Sequence, residues 1–124
     1  MIKGIVWTGV RTDRFDDMRR LLLRLTTAPP VIDDDGFAVF NLPDGDRFEI
    51  FGPEAYEHFT TGPVVGFLVD DVDAARASLE TEGIVFLAPT ARSDDGNAWA
   101  HFRAPDGNVY ELTSRPDHPS HRTA

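Results

Sequence analysis

Two glutamates, Glu49 and Glu111, are the residues around which this chain could most readily organise chemistry. Each closes one copy of a repeated stretch: GFAVFNLPDGDRFEIF at 36–51 returns as AWAHFRAPDGNVYELT at 98–113, 62 positions on. Six of the sixteen positions are identical without a gap, among them Pro43-Asp44-Gly45 and Pro105-Asp106-Gly107. Phe37 answers Trp99, Phe48 answers Tyr110 and Ile50 answers Leu112. A repeat of this length implies two copies of one supersecondary unit. Carboxylates at equivalent strand positions can ligate a hard cation, accept or donate a hydrogen bond to a ligand, or act as general acid and base. If both face one apolar cavity without a cation, they cannot both ionise cheaply, and at least one is driven towards its neutral form. The competing reading is that both are solvated strand residues, or are paired with arginines.

Rings and imidazoles supply the remaining candidates. Trp7, Phe37 and Trp99 either fill the core or offer flat apolar walls on which a planar ligand stacks. Strand parity decides between these roles, and a slip of one residue reverses it. His58 and His101 are the histidines within the folded region, each either a pocket donor and mobile acid–base group or a structural residue. His118 and His121 have a metal-like spacing, but Pro119 lies between them and no helix aligns them, so both read as tail residues. Arg14, Arg19, Arg20 and Arg24 alternate with acidic groups and read as a solvated helix face. No nucleophile elbow, phosphate loop, dinucleotide fingerprint or zinc motif is present.

The elements that must position these groups follow from periodicity and turn chemistry. Residues 2–10 suit a half-buried strand. Phe15, Met18, Leu22 and Leu25 have helical spacing, so 13–25 is read as an amphipathic helix capped by Asp13 and stopped by Pro29 and Pro30. A short strand is expected near 30–34. Pro-Asp-Gly presets a turn, giving hairpins at 36–42/46–52 and 97–104/108–113. Between them, 64–69 reads as a strand, Asp71 caps a helix ended by Gly83, and 84–88 reads as a strand. Each copy is therefore strand, helix, then three strands. The expected organisation is one domain over 1–114, with units 2–52 and 63–113, a linker at 53–62 containing a short helical turn, and a flexible tail at 115–124.

Composition bounds the function. A chain of 124 residues with formal charge −9 lacks the basic face that nucleic acid or an anionic membrane requires. With no cysteine there is no disulfide framework, thiolate site or cysteine nucleophile. The start, MIKGIVWTGV, is too quickly interrupted to read as a signal peptide, and no apolar run reaches membrane-spanning length, so a cytoplasmic protein is expected.

Two tandem βαβββ units, each ending in a Pro-Asp-Gly turn and a strand bearing glutamate, resemble the vicinal oxygen chelate superfamily of glyoxalases, bleomycin-resistance proteins, fosfomycin-resistance enzymes and extradiol dioxygenases. VVGFLVDDVDAARASLETEGI at 64–84 and FRAPDGNVYEL at 102–112 carry the resemblance most specifically, and it extends over residues 2 to 114. It implies an α+β fold in which the two units form a cupped, eight-stranded mixed sheet. It also implies metal-ligand positions on the first and last strand of each unit. The last-strand positions match Glu49 and Glu111; at the first-strand positions, where a histidine is usual, stand Trp7 and Val64. Indole only donates and valine has no donor or acceptor, which leaves two carboxylates able to hold at most a weak, open divalent site. The function expected from this is metal-independent binding of a small apolar or aromatic molecule in the cup, lined by Trp7, Phe37, Glu49, His58, Val64, Trp99, His101 and Glu111, with no resident cofactor. The alternative is a metal-dependent lyase, isomerase or dioxygenase of the same superfamily that recruits His58 or His101 into a non-standard ligand set. A third is an interaction module whose cup is packed shut. A homodimer is expected from the resemblance and from the prevalence of two-fold pairs.

Overall fold

The structure, a computed structural model, describes residues 2–59 and 62–119. His121 therefore lies outside the described residues. The chain divides into two compact units, Trp7–Val64 and Met1–Val6 with Val65–Ala124.

In the first unit, β1 (Gly4–Arg11, of which Trp7 onward belongs here) is followed by α1 (Phe15–Leu25), β2 (Ile32–Asp34), β3 (Phe37–Asn41) and β4 (Arg47–Phe51). The strand order is β2-β3-β4-β1, with β1 parallel to β4 and the other pairs antiparallel. Pro43-Asp44-Gly45 turns the β3–β4 hairpin: Gly45 takes φ 92°, and the Leu42 N–H donates to the Asp46 carbonyl at 2.8 Å. Leu22 packs on Ala38, Phe40 and Ile50, with Phe15, Met18 and Phe48 around them. Strand alternation then sends Phe37, Val39, Glu49 and Phe51 to the face away from α1.

The helix begins two residues later than the sequence suggested. Asp13 stands too far upstream to reach the first free N–H groups, and Arg14 occupies the cap position without a side-chain cap; its own N–H donates to Thr12 Oγ1 at 3.0 Å. Asp16 and Asp17 remain in the first turn, where the helix dipole favours them. The segment after β4 contains tight turns, with the Ala55 N–H donating to the Gly52 carbonyl and the Phe59 N–H to the Tyr56 carbonyl, rather than a helical turn.

The second unit repeats the plan with β5 (Val64–Leu68, of which Val65 onward belongs here), α2 (Val72–Thr81), β6 (Val85–Phe86), β7 (Ala91–Arg92), β8 (Ala98–Arg103) and β9 (Val109–Thr113). Here the order is β5-β9-β8-β6, with β5 parallel to β9. The single strand expected at 84–88 is cut short. Pro89 has no N–H to donate to a ladder, so β6 ends early and β7 resumes pairing along the same edge of β8. The two units thus hold eight strand positions, four each, backed by one helix each. Asp71 caps α2 by accepting from the Ala74 N–H at 3.0 Å, and Gly83, at φ 89°, ends it. Val72, Ala98, Ala100, Phe102 and Leu112 form the core under α2, which sends Trp99, His101, Glu111 and Thr113 to the opposite face.

Residues 114–119, which follow β9, are better anchored than a loose tail. Arg115 is 4% exposed and His118 is also buried. The Arg115 N–H donates to Asn97 Oδ1 at 2.8 Å, and the His118 N–H donates to the Arg115 carbonyl.

Candidate functional site

The two glutamates occupy equivalent places with different neighbours. In the first unit Glu49, half-buried on β4, pairs in register with Gly9 of β1 and Val39 of β3. In the second unit Glu111 pairs with Gly66 of β5 and His101 of β8. A glycine therefore lies beside each glutamate, two residues after Trp7 and two residues after Val64. Val64, the first residue of β5, is buried.

In the first unit the absence of a side chain at Gly9 has a visible use. A Cβ built there would stand 2.1 Å from Trp7 Cη2 and 2.5 Å from Cζ2, so the Trp7 ring folds along its own strand and lies directly over Gly9. The indole is 6% exposed. It meets Phe51 at a centroid distance of 6.4 Å and Phe59, edge-on, at 6.3 Å. Phe37 stacks on Phe51 at 5.4 Å, and Tyr56 stacks on Phe59 at 5.0 Å. His58 packs edge-on against Tyr56 and Phe59, at 5.8 and 5.2 Å. Tyr56 holds φ 49°, a left-handed conformation unfavourable for a residue with a Cβ. Trp7, Phe37 and His58 are thus brought together in one aromatic nest on the face away from α1. The sequence reading missed the members that knit it, Phe51, Tyr56 and Phe59, because neither Phe51 nor the 53–59 segment has an aromatic counterpart in the other copy.

In the second unit His101 Nε2 lies 3.0 Å from Glu111 Oε1. The two residues are 5% and 4% exposed, which makes this a buried imidazole–carboxylate pair. Burial penalises an isolated charge on either group, and their mutual contact offsets that penalty. Trp99, half-buried, lies on the same face of β8 and pairs in register with Thr113. The pairing of His101 with Glu111 was legible in principle: counting outward from the Pro105-Asp106-Gly107 turn places Arg103 opposite Val109 and His101 opposite Glu111.

Superfamily members that use a metal need three or four lone-pair donors around it. At the four matched positions this chain places Trp7, Glu49, Val64 and Glu111. Trp7 can only donate and is spent on packing over Gly9, Val64 has no heteroatom, and Glu111 already meets His101. The residues at these positions do not fit a resident metal held in the family's usual way.

Similarity to known proteins is recognisable at the level of fold. The chain resembles the methylmalonyl-CoA epimerase of Mycobacterium tuberculosis at 16% identity and TM-score 0.67, over 99% of this chain and 93% of that one. It resembles an NAD-dependent benzaldehyde dehydrogenase structure from Legionella pneumophila at 17% identity and TM-score 0.65, over 87% and 96%. A Mn(II)-bound glyoxalase from Novosphingobium aromaticivorans matches at 22% identity and TM-score 0.70; the match covers 91% of this chain but 39% of that longer one. No curated protein matches by sequence. Among the described residues no helix is long and apolar enough to cross a membrane. The family model matches residues 8–112, from the middle of β1 to the end of the second repeat, and the chain belongs to the Glyoxalase/Bleomycin resistance protein/Dioxygenase superfamily.

Proposed function

We propose that this chain is a metal-independent, small-molecule-binding member of its superfamily, taking an apolar or aromatic compound against the sheet face that carries Trp7. The observation that carries this reading is the Trp7 indole laid over Gly9, beside Glu49, at the first-strand position where the family resemblance implies a histidine. An aromatic wall replaces a Lewis-acid site there, and stacking replaces coordination as the means of holding a ligand. The nest is closed by Phe59 and Tyr56, so a ligand that reaches Trp7 takes the place of those rings, and the strained Tyr56 backbone lowers the cost of moving them. In this reading the protein works as a homodimer. Leu21, Leu25, Val31 and Ile32 of the first unit are exposed apolar residues that a second copy would cover, and sedimentation at several concentrations tests this.

Metal analysis of protein purified without chelator or a metal-binding tag is the first test, repeated on Glu49→Gln and Glu111→Gln. Near-stoichiometric metal lost in both variants would overturn the proposal. A metal-free protein whose Trp7 emission, read in a Trp99→Phe background, is quenched saturably by an aromatic metabolite would support it.

The buried His101–Glu111 pair favours a second reading, in which the chain is an isomerase or lyase of the same superfamily that moves a proton with this pair. A carboxylate fixes the tautomer and basicity of an imidazole, and burial sharpens both effects. Activity that is lost in His101→Gln, with folding retained and no metal present, would establish it.

A further inference from the structure

The two helices cover their sheets unequally. In the first unit α1 lays Phe15, Met18 and Leu22 on the strands, whereas in the second α2 offers Val72, Ala75 and Leu79. Beyond these smaller side chains, on the helix side of the second unit, lies a cavity of about 380 Å³ lined by Phe67, Phe102, Ala104, Pro105, Asp106 and Tyr110. Three rings form a continuous row along it. Phe67 stacks on Tyr110 at 5.7 Å and 11°, and Tyr110 stacks on Phe102 at 6.0 Å and 25°. Phe67 and Tyr110 are only half-buried, so the row is capped by neither α2 nor the hairpin.

One charged residue belongs to the lining. Asp106 accepts from the Tyr110 hydroxyl at 2.6 Å and from the Asn108 N–H at 2.9 Å, which orients its carboxylate and holds it below its ordinary pKa. A carboxylate has about four acceptor positions, so it can receive a further donor without losing these. The volume falls within the range of small-molecule sites, near its lower end. The shelf is on the opposite side of the β8–β9 sheet from His101 and Glu111, and so is separate from the site described above.

We propose that this shelf binds a planar aromatic compound carrying a cationic amine, its ring against the Phe67–Tyr110–Phe102 row and its ammonium on Asp106. The aromatic row supplies stacking area, and Asp106 decides the sign of the charge. An aromatic acid of the same shape meets the same rings but a repelling carboxylate.

The test is an amide NMR titration of the full chain with tryptamine and, separately, indole-3-acetate. The expected result is saturable shifts confined to Phe67, Phe102–Ala104 and Val109–Leu112, with tryptamine binding about two- to fivefold tighter at low salt, as an exposed ion pair allows. Asp106→Asn should abolish that preference while leaving ring binding, and Phe67→Leu, which keeps bulk but removes the ring, should weaken both ligands. Equal affinity for the two compounds in the native chain, or a preference that survives Asp106→Asn, would overturn the proposal. So would shifts at these amides that follow protein concentration instead of ligand, since a second copy would then be the occupant.

Discussion

The Trp7–Gly9 contact makes the sharpest demand on experiment. Replacing Gly9 by alanine puts a methyl group 2.1 Å from Trp7 Cη2, 2.5 Å from Cζ2 and 3.0 Å from Cζ3. Ordinary contact between such atoms begins near about 3.5 Å, so the ring must retreat by more than an ångström. It has little room to do so, because Phe51 and Phe59, both buried, pack on it. Overpacking of this kind costs about 1–3 kcal/mol, which for a domain of this length corresponds to a melting temperature lower by about 3–12 °C. The assay is thermal unfolding in a Trp99→Phe background, where Trp7 is the sole tryptophan, read together with its emission maximum and acrylamide quenching. Gly9→Ala should lower the midpoint, shift emission to the red and increase quenching. Gly4→Ala, on the same strand, is the control, since its added methyl would meet nothing nearer than Val6 Cγ1 at 3.8 Å. A Gly9→Ala protein that melts with its parent and emits at the same wavelength would refute the placement of the indole, and with it the main support for a metal-independent site.

Removing one member of the buried His101–Glu111 pair leaves the other a poorer partner, and His101→Ala should destabilise by about 1–3 kcal/mol by denaturant titration, more if the pair is charged. Asp71→Ala, which deletes the cap on α2, should cost about 1 kcal/mol by the same measurement, whereas Asp13→Ala, which caps nothing, should be neutral. Three exposed carboxyls titrate below their ordinary 3.8: Asp17 beside Arg14 and Arg20, Asp33 beside Arg19, and Asp106 beneath Tyr110. Their stabilisation is complete above that value and disappears as pH falls through the lowered folded-state values, so carboxyl NMR titration of Arg19→Gln should return Asp33 to the ordinary range. Tyr110 behaves in the opposite sense. Its hydrogen bond to Asp106 raises it above 10.0, so its contribution is present below pH 10.0 and is lost as pH rises through the raised value; Asp106→Asn should bring phenolate absorbance back to lower pH.

The fold class followed from the family resemblance of 64–84 and 102–112, set on an element order that the gapless repeat, its two Pro-Asp-Gly turns and the Asp71 and Gly83 helix signals were enough to read. Their physics is local: a turn or cap is decided by a few adjacent residues. What escaped depends on contacts that are not local. Asp13 was the natural cap by residue type, but the geometry of the chain leaving β1 starts the helix at Phe15. Pro89 was visible, yet its effect on the edge strand depended on which side of β8 that edge lies. The aromatic nest draws Tyr56 and Phe59 from outside the repeat, and Phe51 from its last position, where the other copy has Thr113, so internal comparison marked none of them. The anchoring of Arg115 rests on Asn97, eighteen positions earlier, which was read as the first residue of a strand but stands just before β8.

Comparison of the two units within the chain argues that the sites around the glutamates have diverged in opposite directions. The strand pairing is the same in both, with a glycine on one side of each glutamate, Gly9 for Glu49 and Gly66 for Glu111. What differs is the residue on the other side, Val39 in the first unit and His101 in the second, together with the ring that covers Gly9. Across the strand from its glutamate the first unit carries an apolar residue, Val39, while the second carries an ionisable one, His101, in a buried setting. Exchanging the two neighbours separates the functional readings. Val39→His tests whether a second imidazole–carboxylate pair creates metal affinity or activity where stacking now dominates. His101→Val makes the second unit like the first. If ligand quenching of Trp7 survives His101→Val with unchanged affinity, binding belongs to the aromatic unit alone. Loss of all function in His101→Val, in a chain that remains folded, would instead place the chemistry on the His101–Glu111 pair.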